Sequence, residues 1–160
     1  MRWIWIDRFV EFSSGSHATA VKCVTMAEDH LHDHFPGFPV MPHSLIIEGL
    51  AQTGGILVGE TQQFRTVIVL AKIPKVVFHG YAMPGDTLTY SVKLLDMRPD
   101  GGIVEGTAKI GEQLVAEIEI VFASISQAEI PGISQGFVIP AQMLRILSVP
   151  EPAAQAVAGG

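Results

Sequence analysis

Residues 44–60 read SLIIEGLAQTGGILVGE, and this segment decides the fold. Its apolar side chains surround the helix axis instead of forming a single stripe, which is typical of a helix that is buried on all sides. Gly49, Gly54 and Gly55 each cost roughly 1 kcal/mol of helix stability relative to alanine, so we expect another backbone to approach closely there. The segment therefore predicts one long central helix enclosed by the rest of the domain.

On either side of this helix, apolar and polar residues alternate with the period of two that strands show. The predicted strands are residues 7–13, 17–26, 66–78, 87–96 and 113–123. Residues 13–16 form a turn-like cluster, and residues 99–102 and 111–112 form hairpin turns. Pro74 is expected to break the third strand, and residues 27–42 to form a structured loop. These elements predict an α+β fold, a curved antiparallel sheet wrapped around one long central helix.

The last part of the chain differs from the rest in composition. Residues 1–125 are predicted to form the folded domain, and residues 126–160 a C-terminal extension. After Pro140, residues 141–147 have the pattern of a short amphipathic helix. Beyond Pro150 the sequence consists largely of Ala, Gly, Pro and Gln, so we expect that part of the extension to be disordered.

The composition fits one domain that associates with itself. The 160 residues are 48% hydrophobic and only 16% charged, which predicts apolar surface buried in an oligomer. A net charge of -6 argues against general binding of nucleic acid, which depends on clustered Lys and Arg.

The sequence also indicates a compartment. Cys23 is the single cysteine, so no disulfide can form within the chain, and a reducing environment fits best. The first residues reach Asp7 too early to contain the apolar core of a signal peptide. No run approaches the ~20 apolar residues of a membrane span. We expect a cytoplasmic protein that has no membrane partner.

A carboxylic acid, Glu48, lies within the apolar helix. Glu48 and Gln52 are four residues apart and therefore share a face of the helix. A buried, unpaired charge is very costly, so Glu48 must be hydrogen-bonded, protonated or facing a polar cavity. Two interpretations stay open at this point, a structural carboxylate held by Gln52 and backbone amides, or an active-site acid.

The loop that leads into the helix carries His34 and has little conformational freedom. Three prolines between His34 and the helix fix three φ angles. Gly37 permits a positive φ or a close approach of the backbone to a ligand. The N-terminus of the helix, near Ser44, offers unpaired N–H groups to a developing oxyanion. A base, an acid and an oxyanion site are the set that removal of a proton next to a carbonyl requires.

The motifs in this region resemble a known family. HFPG at 34–37, Met41-Pro42 and the IEGLAQ segment at 47–52, followed by PGDTL at 84–88, resemble the signature of the FabZ-type 3-hydroxyacyl-[acyl-carrier-protein] dehydratases. The order and spacing agree over about residues 7–123. The resemblance implies a hotdog fold. It also implies a homodimer, or a trimer of dimers, in which His34 of one chain faces Glu48 of the other.

The resemblance assigns a role to each candidate residue. His34 would remove the Cα proton of a 3-hydroxyacyl chain carried on acyl carrier protein, and Glu48 would help the β-hydroxyl leave as water. The Gly37 N–H would polarise the thioester carbonyl, and the product would be a trans-2-enoyl thioester. Gln52, Phe38 and His43 are the further candidates for substrate binding. No cofactor and no metal are implied.

Two residues depart from the family pattern beside the chemistry. His43 stands where the family usually has glycine, and Phe38 where a polar or basic residue is common. A side chain at His43 is expected to narrow the acyl tunnel, displace a backbone donor or add a second imidazole.

Three alternative functions also fit the residues. His30, His32 and His34 alternate, so an extended segment would place three imidazoles on one side, as in a metal site. A hotdog thioesterase would use Glu48 to activate water at the carbonyl. A non-catalytic hotdog subunit of an acyl-chain synthase complex would keep the fold without turnover.

An acyl carrier protein is acidic, so its binding to this acidic chain requires a local basic patch. The candidates for that patch are Arg65, Lys72, Lys75 and Arg98.

Overall fold

The computed structural model describes residues 3–126 and 141–149, which form one sheet, one long helix and two short helices. The elements in chain order are β1 (Arg8–Ser13), β2 (His17–Cys23), α1 (His30–Asp33), α2 (His43–Thr61), β3 (Val67–Phe78), β4 (Thr87–Arg98), β5 (Gly101–Ile110), β6 (Gln113–Ile125) and α3 (Ala141–Ile146).

The described strands form a single antiparallel sheet in the order β1-β2-β4-β5-β6-β3. Strands β1 and β3 are therefore its two edges. Helix α2 packs against β2, β3, β4, β5 and β6, so the sheet wraps around it. This is the hotdog fold, and the predicted α+β architecture with one long central helix is confirmed.

The core lies between α2 and the inner face of the sheet. Ile46, Leu50 and Leu57 on the helix are completely buried, as are Leu88 and Ile120 on the strands. Alternation along β4 and β6 sends every second side chain to this face, which is why the pattern of period two was readable in the sequence. Burying each of these large side chains contributes roughly 1.5–3 kcal/mol.

The helix glycines are explained by side chains and not by the close backbone that the sequence predicted. A Cβ on Gly49 would lie 2.5 Å from the ring of Tyr90, which is completely buried on β4. A Cβ on Gly54 would lie 3.0 Å from a methyl group of Val104 and 3.2 Å from the ring of Phe122. The absence of a Cβ at these two glycines of α2 lets bulky side chains of the strands pack against the helix.

Several predicted elements differ from the structure. Strand β2 ends at Cys23 and not at residue 26, and β5 was not among the predicted strands because Gly101 and Gly102, its first two residues, were assigned to a turn. Residues 27–42 contain the short helix α1, which the sequence pattern did not indicate because Leu31 is its only buried residue. Strand β3 continues through Pro74 to Phe78, although its pairing with β6 is irregular between Leu70 and Lys75. An edge strand tolerates proline because one side of its backbone has no ladder to complete.

Part of the C-terminal extension packs on the domain. The predicted boundary at residue 125 coincides with the end of β6. Helix α3 ends at Ile146, and the side chains of Leu147 and Val149 then enter the core. The predicted disorder beyond Pro150 falls outside the described residues.

In the part of the chain that the structure describes, no helix is long and apolar enough to cross a membrane.

The packing of Gly49 on Tyr90 gives a stability test. Gly49→Ala should lower the free energy of unfolding by about 1–3 kcal/mol, because the added methyl group overpacks a completely buried ring. Gly55→Ala is the matched control, since its Cβ would meet Phe122 at an ordinary 3.4 Å and the helix would gain propensity. Urea denaturation measures both variants. Equal losses in the two would contradict this account of Gly49.

Candidate active site

The loop from His34 to Val40 is closed by a pair of hydrogen bonds at its ends. The Val40 N–H donates to the His34 carbonyl at 2.9 Å, and the His34 Nδ1 lies 2.8 Å from the Val40 carbonyl. A carbonyl only accepts, so Nδ1 carries the proton in this contact. The Nε2 of the neutral ring is then the basic nitrogen. The ring is held further by stacking on Phe35, with centroids 4.2 Å apart.

The tip of this loop presents a free backbone donor. Phe35 and Phe38 exchange two backbone hydrogen bonds of 2.9 Å, which closes a tight turn around Gly37. Gly37 has a φ of +78°, and a Cβ there would meet nothing within 4 Å, so the turn needs glycine for its conformation and not for space. Among the described residues, no hydrogen bond uses the Gly37 N–H, which is thus available to a ligand oxygen.

Glu48 is oriented by Gln52. The Gln52 Nε2 donates to Glu48 Oε1 at 2.9 Å and to the Trp3 carbonyl at 3.0 Å. Gln52 Oε1 accepts the Trp5 N–H at 2.8 Å, so every polar group of this amide has a partner. The Gln52 amide cannot rotate without breaking these hydrogen bonds. It therefore fixes the position of one carboxyl oxygen of Glu48. The other oxygen accepts no hydrogen bond within residues 3–126 and 141–149.

A cavity of about 360 Å³ extends from Glu48 along α2. Its floor is one face of the helix, at Glu48, Ala51, Gln52, Gly55, Ile56 and Gly59. One wall comes from the start of β3 and the residue before it, at Thr66, Val67, Ile68 and Leu70, and another from Trp3, Ile4 and Leu147. Apart from the Glu48 and Gln52 end, the lining is mainly apolar. The cavity therefore suits an apolar chain whose polar head lies near the carboxyl group.

His43 lies away from this cavity. Its ring stacks on Phe78 with centroids 3.9 Å apart and planes 3° apart, and it also stacks on Tyr81, with centroids 5.3 Å apart and planes 9° apart. Its Nε2 donates to the Gly80 carbonyl at 3.0 Å. The side chain therefore does not narrow the cavity that contains Glu48, contrary to one of the three effects expected from the sequence.

The start of α2 keeps backbone donors free. Pro42 is the N-cap and makes no side-chain cap. Its carbonyl accepts the Leu45 N–H at 2.9 Å, whereas no bond within the described chain uses the N–H groups of His43 and Ser44. Phe38 is half exposed. Its ring lies nearly perpendicular to that of Tyr81, with the two ring centroids 6.2 Å apart.

The candidate residues form two groups that do not touch within one chain. His34, Gly37 and Phe38 belong to the loop, whereas Glu48 and Gln52 belong to the cavity. No hydrogen bond, ion pair or ring contact in the described part of the chain joins His34 to Glu48. The sequence missed the supporting residues Trp3 and Trp5; an aromatic pair before the first strand was the only signal for them.

The run of histidines before His34 does not have the extended geometry on which the metal hypothesis depended. His30 and His32 lie in helix α1, so the predicted alternation on one side of an extended segment is wrong. No three His, Cys, Asp or Glu side chains among the described residues lie close enough to hold a metal ion. His30 instead packs edge-on against Trp5, with centroids 5.3 Å apart, and its buried Nε2 has no partner within the described chain.

Sequence comparison assigns the family. The model of the FabA-like domain matches residues 3–119. The chain therefore belongs to the FabA-like domain family. A protein of Clostridium tetani named 3-hydroxyacyl-[acyl-carrier-protein] dehydratase FabZ is 42% identical over 118 residues, 73% of this chain and 83% of that protein. A protein of the same name from Desulforamulus reducens is 38% identical over 122 residues, 76% of this chain and 86% of that protein.

Solved structures show the same fold at much lower sequence identity. The dehydratase heterocomplex ApeI:P of Xenorhabdus doucetiae matches with a TM-score of 0.68 and 16% identity, over 79% of this chain and 86% of that chain. A conserved protein of Pseudomonas aeruginosa matches with a TM-score of 0.61 and 19% identity, over 74% and 87%. At this identity the likeness concerns the fold alone.

The environment of His30 predicts a dependence of stability on pH. Burial lowers the pKa of His30 below its ordinary value of 6.5, against a smaller opposite effect of Glu28. Below pH 6.5 the unfolded chain therefore binds more protons than the folded chain, and stability falls as the pH falls towards the folded pKa. The melting temperature of the protein should drop more between about pH 7.5 and pH 5.5 than that of His30→Phe.

His32→Phe is the control for this comparison because His32 is exposed on the same short helix. It should keep the pH dependence of the parent protein. The same acid-induced drop in the His30→Phe variant would show that His30 does not cause it.

Proposed function

We propose that this chain is a FabZ-type 3-hydroxyacyl-[acyl-carrier-protein] dehydratase, a hydro-lyase of fatty acid biosynthesis or a related pathway, and that it acts in the cytoplasm. The curated relatives of 36–42% identity carry this name. The observation that carries the proposal is the bond from His34 Nδ1 to the Val40 carbonyl, which leaves Nε2 as a base. Glu48 supplies a fixed carboxyl group at the end of an apolar cavity.

Each step of the elimination has a residue suited to it. His34 Nε2 takes a proton from C2, and the electron pair of that C–H bond moves toward the thioester carbonyl. The Gly37 N–H donates to the carbonyl oxygen, where negative charge develops. The electrons then form the C2–C3 double bond as the C3–O bond breaks, and a proton from Glu48 converts the departing hydroxyl to water. The proton gained by His34 and the proton lost by Glu48 are afterwards exchanged with solvent.

The proposed site is shared by two copies of the chain, with His34 of one opposite Glu48 of the other. The lack of contact between these residues within one chain supports this arrangement. So does edge strand β3, whose Leu70, Val76 and Val77 are more than a third exposed. An unpaired edge with exposed apolar side chains favours pairing with a second copy about a two-fold axis. A homodimer is thus the assembly we propose, and a trimer of dimers is its extension.

The acyl carrier protein is the proposed macromolecular partner. The Arg98 guanidinium is already bonded to Asp96 at 2.7 Å, and Arg65 donates to Gln63. Lys72 and Lys75 on β3 are exposed and make no ion pair in the described part of the chain. We assign the basic patch for the acidic carrier chiefly to these two lysines.

Loss of either catalytic group should remove the activity. His34→Ala or Glu48→Gln should lower kcat/KM for a 3-hydroxyacyl thioester by at least about 10², the range for a positioned acid or base. The enoyl product is followed by its absorbance, and free thiol is measured in parallel to detect thioester hydrolysis. His32→Ala is the control, because it removes a neighbouring imidazole that bonds to the Met26 carbonyl and lies outside the proposed site. Full activity of either site variant, or thiol release without enoyl product, would overturn the proposal.

Mixing the two inactive variants tests whether the site is shared. In a dimer of His34→Ala with Glu48→Gln, one of the two sites is intact and the other lacks both groups. After subunit exchange, roughly a quarter of the parental activity should return, because about half of the dimers are mixed and each has one working site. A site made within one chain would give no recovery.

A further inference from the structure

The C-terminal segment supplies a wall of the cavity that the family match does not include. The FabA-like match ends at residue 119, whereas Leu147 lines the cavity together with Trp3 and Ile4. Leu147 is only 3% exposed, so the segment is packed onto the domain at this point.

Several hydrogen bonds hold Leu147 in place. Its carbonyl accepts the N–H of Phe9 on edge strand β1 at 2.7 Å. The Ser148 N–H donates to the Arg145 carbonyl at 3.0 Å, and the Val149 N–H to the Leu144 carbonyl at 2.9 Å, which closes a turn around Leu147. Val149 is also buried but does not line the cavity.

The position of Leu147 along α2 follows from contacts on either side of β1. Just before β1, the Trp5 N–H donates to Gln52; just after it, the Gly15 N–H donates to Thr61. Strand β1 thus passes from the level of Gln52 to the level of Thr61. The Phe9 N–H, and with it the Leu147 carbonyl, lies between these levels. At 1.5 Å per residue, the two levels are about 6 and about 20 Å beyond Glu48.

We propose that Leu147 is a specificity-determining residue that limits the length of the acyl chain. This inference rests on the proposed function, in which the reacting carbons lie at Glu48. The acyl chain then extends along the glycine-bearing face of α2 and meets Leu147 between about 6 and about 20 Å further on. Chains that end before this level fit without contact, whereas longer chains must pass the isobutyl side chain.

Opposite substitutions at Leu147 test the proposal. The ratio of kcat/KM for long over short 3-hydroxyacyl thioesters should rise in Leu147→Ala by about tenfold, since each further buried methylene contributes roughly fourfold. In Leu147→Phe the same ratio should fall, whereas kcat/KM for the shortest substrates should stay at the parental value. A general loss of packing would move both variants in the same direction. Val149→Ala removes buried apolar contact from the same turn, and it should leave the ratio at the parental value.

Binding of saturated acyl-pantetheine thioesters of graded length separates this inference from the proposed function. If the parent protein shows no dehydration but Leu147→Ala tightens binding of the longer thioesters, the dehydratase assignment fails and the role of Leu147 holds. If the parent is active and neither variant changes the length profile of turnover or binding, the role of Leu147 is refuted. A change in Val149→Ala equal to that in Leu147→Ala would refute it as well.

Discussion

The burial of most of α2 is the constraint on which the rest of the structure depends. The sheet covers the side of the helix that faces Tyr90, Val104 and Ile120, all of which are completely buried. The opposite face contains Gly55 and Gly59 and is only partly covered, so a cavity forms there. Its polar positions, Glu48 and Gln52, lie on this face. An apolar helix with one incompletely covered face thus places a carboxyl group at the end of an apolar channel.

The loop and the helix are connected too tightly to move independently. The Met41 N–H donates to the Ala82 carbonyl at 2.8 Å, and Pro42 immediately caps α2. His34 is bonded at both its carbonyl and its Nδ1 to Val40. The imidazole is therefore positioned by the same short segment that starts the helix. Such a site is already ordered before substrate binds, which keeps the cost of orienting the reacting groups low.

Periodic features of the chain could be predicted from the sequence, whereas features that depend on distant contacts could not. The period of two indicated five of the six strands in the described part of the chain, and the four-residue spacing placed Glu48 and Gln52 on one face. The sequence around Gln52 does not indicate its hydrogen bonds to the backbone of Trp5 and Trp3, because these residues are 47 and 49 positions away in the chain. Helix α1 was not predicted, because four residues with one buried leucine show no periodic pattern of apolar side chains. The contribution of Leu147 likewise depends on its docking against Phe9.

The contacts of His43 define the role of its side chain. The Nε2 proton of His43 is used in the bond to the Gly80 carbonyl, and the ring is covered on one face by Phe78. To act as a base beside His34, the ring would have to leave this stack and break that bond. The geometry therefore gives His43 a structural role, in which it ties the end of β3 to the start of α2. Among the described residues of the proposed site, His34 is the imidazole whose Nε2 makes no hydrogen bond.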